Sequence, residues 1–88
     1  MIDINQHKFK AGDIIKPIKG KIFSNGYNIQ HVKKCKVTYL SKFTYSKIQI
    51  LTLEGNIYRN GYNRIDVIVT VNSNDFELYN FIDNYEIF

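Results

Sequence analysis

One alanine and four leucines stand against fourteen isoleucines, five valines, four threonines, seven tyrosines and six phenylalanines. Helices lose their best formers in such a chain, whereas β-branched and aromatic side chains suit a pleated, half-buried surface. The apolar runs are punctuated by Gly12-Asp13, Lys19-Gly20, Asn25-Gly26, Glu54-Gly55-Asn56 and Asn60-Gly61, each a turn or loop signal. The chain reads as all-β.

Its 88 residues and 10.4 kDa fit a single domain spanning residues 1–88, with a thin core over residues 9–81 and a flexible terminus at 1–8. A core that thin leaves little room for a deep cleft lined by polar groups. The first strand is read at Asp13–Ile18 and, because Pro17 cannot donate to a ladder, lies at an edge or ends there. A long irregular loop follows, from Lys19 to Gln30. The second strand is His31–Leu40, where Cys35, Val37 and Tyr39 alternate with Lys34, Lys36 and Thr38. The third, Tyr45–Leu53, carries Ile48 and Ile50 on one face, and its apolar parity changes at Leu51 and Leu53, which suggests a bulge or burial on both faces. The fourth, Ile65–Val71, follows a loop running from Glu54 to Arg64. After a tight helical turn at Ser73–Phe76, a short strand is read at Glu77–Phe81. The expected core is Ile14, Val37, Tyr39, Ile48, Ile50, Val67 and Val69. One internal echo, Ile22-Phe23-Ser24-Asn25-Gly26-Tyr27-Asn28 against Ile57-Tyr58-Arg59-Asn60-Gly61-Tyr62-Asn63, is read as two independent Asn-Gly turns.

Charge is unevenly spread. Ten lysines face one acid between Lys8 and Lys47, and two arginines face six acids from Ile48 to Phe88. The asymmetry points to an acidic protein or a nucleic acid as partner, or to a solvated lysine-rich face drawn from AT-rich codons.

The motifs of catalysis are missing from the sequence. It has no phosphate-cradling glycine loop, no paired cysteines and no nucleophile elbow. His31 and Cys35 lie four apart on a strand, about 13 Å, too far to share a metal. Cys35 reads as a core thiol, His31 as a partly exposed loop-end residue and His7 as part of the mobile terminus. The expectation is a non-enzyme with no cofactor, no metal and no small-molecule substrate. With an acid at position three and no apolar run of membrane length, the chain reads as a soluble cytoplasmic protein without a signal peptide.

Four or five short strands with a long loop after the first suggest a small antiparallel barrel. Phe9-Lys10-Ala11-Gly12-Asp13-Ile14-Ile15-Lys16 resembles the F-x-x-G-D-x-V opening of SH3-like small barrels. Asn72-Ser73-Asn74-Asp75-Phe76-Glu77-Leu78 resembles the turn and F-E-L final strand of the same domains. Small phage proteins carry both ends at similar spacing, and the resemblance covers residues 9–80. The chain departs from the pattern at Ile57–Arg64 and after Phe81. The resemblance implies a five-stranded SH3-like barrel, with Phe9 packed across its end. It also implies a binding module that occupies a surface of a host or defence-system protein, as an inhibitor does. The alternative is a DNA- or RNA-binding barrel using the basic segment Lys8–Lys47. The residues expected to meet the partner are Lys19, Lys21, Phe23, Tyr27, Lys33, Lys34 and Tyr62.

Overall fold

The computed structural model describes residues 1–64 and 67–79. Seven strands make one antiparallel sheet: β1 (Ile14–Pro17), β2 (Phe23–Ser24), β3 (Tyr27–Leu40), β4 (Lys47–Arg59), β5 (Tyr62–Asn63), β6 (Val69–Asn72) and β7 (Phe76–Leu78). Two 3-10 turns, Ile4–Gln6 and Ser73–Asp75, complete the regular structure. The second is capped by Asn72, whose side chain accepts from the Asn74 amide. No helix among the described residues is long and apolar enough to cross a membrane.

The long ribbon β3–β4 is the spine. Opposite ends of β3 pair with β1 and β2, and opposite ends of β4 pair with β6 and β5. β7 joins the free side of β1, opposing Leu78 to Ile15. Where the sequence predicts a five-stranded barrel, the sheet has seven strands and its ladder is an open path, β5-β4-β3-β1-β7. Both extra strands come from the Asn-Gly turns. Asn25 and Gly26 take φ of 50° and 83°, and Asn60 and Gly61 take 52° and 81°, the double left-handed geometry of a two-residue hairpin. The stretch Lys19–Gln30, expected to be irregular, therefore holds β2 and the start of β3.

The spine folds back on itself. Ser24 shares a row with Arg59, while Asn72 pairs with Lys47, twelve residues away along β4. A straight strand would hold those rows about 40 Å apart. Yet Ser24 Oγ accepts from the Asn72 amide at 2.9 Å, and Asn25 Nδ2 donates to the Thr70 carbonyl at 2.9 Å. The bend centres on Gly55, at φ 94°, where the β3–β4 register slips on both sides of Val32. A Cβ there would meet the His31 carbonyl and lie 2.8 Å from the Lys33 amide nitrogen. Glu54-Gly55-Asn56, read as a turn, is thus a bulge inside β4. A bulge and a turn both call for a glycine at positive φ, so the sequence signal is the same.

Within the fold lie Phe9, Ile15, Ile29, Cys35, Val37, Ile48, Ile50, Ile57, Val69, Val71 and Phe76. Three expected core positions differ. Tyr39 is 43% exposed, because a register slip after Val37 hands the inward position to Leu40. Val67 is 45% exposed, since it precedes β6 and lies outside the ladder. Ile14 is half-buried; its neighbour Ile15, opposite Cys35 and Leu78, is fully enclosed. Thr52 continues the inner face of Ile48 and Ile50, and the bulge suggested by the parity change lies at Leu53, where the register slips between Thr52 and Glu54 so that the next buried position is Ile57. Ile65 of the expected fourth strand and Phe81 of the expected last strand lie outside the described residues. The terminus read as flexible is held. His7 is buried with its Nε2 2.7 Å from the Ser41 carbonyl, so that nitrogen carries the proton and donates, and the Ile2 amide donates to Lys42.

Candidate functional site

The internal echo is built as two copies of one hairpin, side by side. Phe23 opposes Asn28 and Ser24 opposes Tyr27 in the first; Tyr58 opposes Asn63 and Arg59 opposes Tyr62 in the second. Even the next bond is shared, with the Ile29 amide donating to the Ile22 carbonyl and the Arg64 amide to the Ile57 carbonyl. Because Asn28 pairs with Tyr58, the hairpins adjoin as a four-stranded platform with both turns at one end. The two are adjacent copies of one unit where independent turns were expected.

Alternation sorts the platform into two faces. Ser24, Tyr27, Arg59 and Tyr62 form one row, on the same face as buried Ile29 and Ile57. Phe23, Asn28, Tyr58 and Asn63 form a row on the opposite face. On the first face the Arg59 guanidinium lies over the Tyr27 ring at 4.9 Å, and that of Arg64 over Tyr62 at 5.6 Å. Tyr62 is 67% exposed, while Tyr27 packs against the core. Neither arginine has a carboxylate partner among the described residues. They are the only arginines of the chain.

The seven residues expected to meet a partner do not form one patch. Tyr27 and Tyr62 share the arginine face, but Phe23, 62% exposed, points to the opposite side. Lys19 is exposed on the turn after β1. Lys21 pairs with Asp75 at 3.3 Å. Lys34 pairs with Glu54 at 3.8 Å and lies over the Tyr79 ring at 5.0 Å. Lys33 is exposed beside the Gly55 bulge. Two of the four lysines are therefore compensated within the fold.

The sequence reading passed over Arg59 and Arg64, though the echo carried the signal: each stands one residue outside an Asn-Gly turn or its flanking Tyr-Asn. It also passed over Phe43, 81% exposed, which with Tyr39, Lys42 and Lys47 borders an open groove of about 220 Å³. An open cleft of about 520 Å³ between the amino-terminal segment and Leu78 is lined by His7, Lys8, Phe9 and Asp13.

Among the described residues no group of three His, Cys, Asp or Glu is placed to hold a metal. Cys35 is enclosed, its Sγ 3.5 Å from the Ile15 carbonyl, and burial pushes the thiol up from 9.0 to about 12. A thiol so protonated is a packing group and a poor nucleophile. The chain shows no significant match to known family models, to curated proteins or to solved structures.

Proposed function

We propose that the chain is a non-enzymatic binding module that occupies a surface of a protein partner through the arginine face of its paired hairpins. One observation carries the reading: two guanidiniums without a carboxylate partner among the described residues, each set over a tyrosine ring, stand at one end of the sheet. Arginine and tyrosine dominate the energetic centres of protein interfaces because they bring large, stiff contact area and directional hydrogen bonds together. A nucleic-acid track needs a run of free cations along the backbone, and Lys21 and Lys34 are already engaged by acids. The resemblance of residues 9–16 and 72–78 to small phage barrels supports a partner in a host cell or one of its defence systems, with inhibition as the outcome.

The test is site-specific photo-crosslinking in a lysate of the native host, with the reactive group at position 62 and, as control, at position 53 on the outer face of β4. The expected result is a protein adduct from position 62 that survives nuclease and is absent from position 53. Adducts that vanish with nuclease replace the reading with the nucleic-acid one. Equal adducts from both positions remove the hairpins as the contact surface.

A further inference from the structure

We infer that the partner segment held by the paired hairpins is an acidic, extended peptide whose carboxylates, two residues apart, are taken by Arg59 and Arg64. The inference rests on the protein-binding reading and deepens it.

Tyr27, Arg59 and Tyr62 occupy consecutive strands in one row, so the two tyrosine backbones stand about 10 Å apart with the arginine between them. Arg64 lies two residues further along the same face, opposite Ile57. Its backbone is therefore about 8 Å from that of Arg59, one strand across and two residues along. Each guanidinium lies over a ring, and no carboxylate among the described residues takes up its N–H groups. The N–H edge of a guanidinium matches the two oxygens of a carboxylate. Side chains two apart on an extended chain project from one face about 7 Å apart, close to the spacing of the two forks. A Glu-x-Glu or Asp-x-Glu segment fits.

The surroundings select this occupant over a polyanion. The neighbours of the two arginines on the platform are Ser24, Tyr27, Ile29, Ile57 and Tyr62, all neutral. Among the described residues the accessible surface beside the two cations is that of the Tyr27 and Tyr62 rings, backed by the buried Ile29 and Ile57. A short acidic motif with apolar flanks complements such a surface; a nucleic-acid strand carries its charge on past the row, where the described cation at the first hairpin's tip, Lys47, already donates to Asn25 Oδ1 at 3.0 Å. The ring under each guanidinium also limits its rotamers, so less freedom is lost when the fork closes on an anion.

The probe is a fluorescent peptide of about ten residues alternating Glu with Thr, titrated by anisotropy at about 150 mM salt, where weak exposed charge attraction is screened. Beside it run the same peptide with Gln for Glu and an oligothymidylate of equal charge. The expected result is binding of the Glu peptide at about 100 µM or tighter, at least tenfold weakened in the Gln peptide. Arg59→Lys, which keeps the charge and loses the fork, weakens binding about tenfold. Arg59→Gln with Arg64→Gln abolishes it, while unchanged thermal melting shows that the fold is intact. Equal affinity for the Gln peptide, no binding of the Glu peptide, an unaffected Arg59→Lys or tighter capture of the oligothymidylate each overturns the inference. The position-62 crosslink separates the two levels. A protein adduct mapped to a segment without acids removes the acidic motif and leaves the binding module standing, whereas a nuclease-sensitive adduct removes both.

Discussion

The two hairpins agree at five of seven positions, and in turn geometry and register, yet they do different work. In the first, Ser24 is buried and bonded to Asn72, Asn25 bridges to Thr70 and receives Lys47 Nζ at 3.0 Å, and Ile29 is fully enclosed. In the second, the equivalent positions are Arg59, Asn60 and Arg64; Arg59 and Asn60 are exposed and Arg64 is half-buried. Asn-Gly in the left-handed region makes the hairpin in both places. What stands opposite decides the rest: β6 faces the first copy, and a small polar side chain fits there. No described strand faces the second in that way, and it carries two long cations. Local code sets the shape, and tertiary surroundings set the role.

Both copies depend on the bend at Gly55, so the largest expected effect removes the comparison altogether. Gly55→Ala drives a Cβ into the backbone of His31 and Lys33 at a left-handed φ, and should cost more than about 3 kcal/mol in denaturant unfolding. Near-native stability would show that the ribbon does not need the bulge. The next experiment sharpens the contrast between equivalent positions. Ser24→Ala leaves the half-buried Asn72 amide without its acceptor and should cost about 1–2 kcal/mol. Arg59→Ala should stay within about 0.5 kcal/mol of the parent in stability while losing the partner. Equal stability losses would mean that the second hairpin is as structural as the first.

How much of this was legible follows the range of the interaction. The strand composition, both Asn-Gly turns, the 3-10 turn after β6 and the burial of Cys35, Val37, Ile48, Ile50 and Val69 all follow from residues within a few positions. Tyr39 and Val67 failed because alternation assumes an unbroken ladder, and one slip after Val37 and a late start to β6 reset the phase. The engagement of two of the expected lysines has a longer-range origin. Lys21 meets Asp75 and Lys34 meets Glu54 across the sheet, pairings that no local pattern announces. The separation of Phe23 from Tyr27, by contrast, was open to parity: across a two-residue turn Tyr27 faces with Ser24.

The smallest expected effect uses the enclosed end of the ribbon as a reference for the exposed one. Cys35→Ala should cost about 1 kcal/mol at neutral pH through lost packing. Below pH 9.0 the thiol is protonated in both folded and unfolded chains. From there towards 12 the unfolded chain ionises while burial keeps the folded thiol neutral, so stability falls as pH rises. Thermal melting of the parent and of Cys35→Ala across that window should show the parent's advantage shrinking. A constant gap would place the thiol in contact with water.

The seam between the first hairpin and β6 also bears on how the protein meets other molecules of its kind. An open sheet displays rows of unpaired amides and carbonyls, and a chain this rich in isoleucine, valine and tyrosine could extend them into an aggregate strand by strand. On β6 the Thr70 carbonyl and both backbone groups of Asn72 are occupied by the Asn25 and Ser24 side chains. An incoming strand finds no template on that margin. The hairpin tip is in effect a plug for that one edge of the sheet.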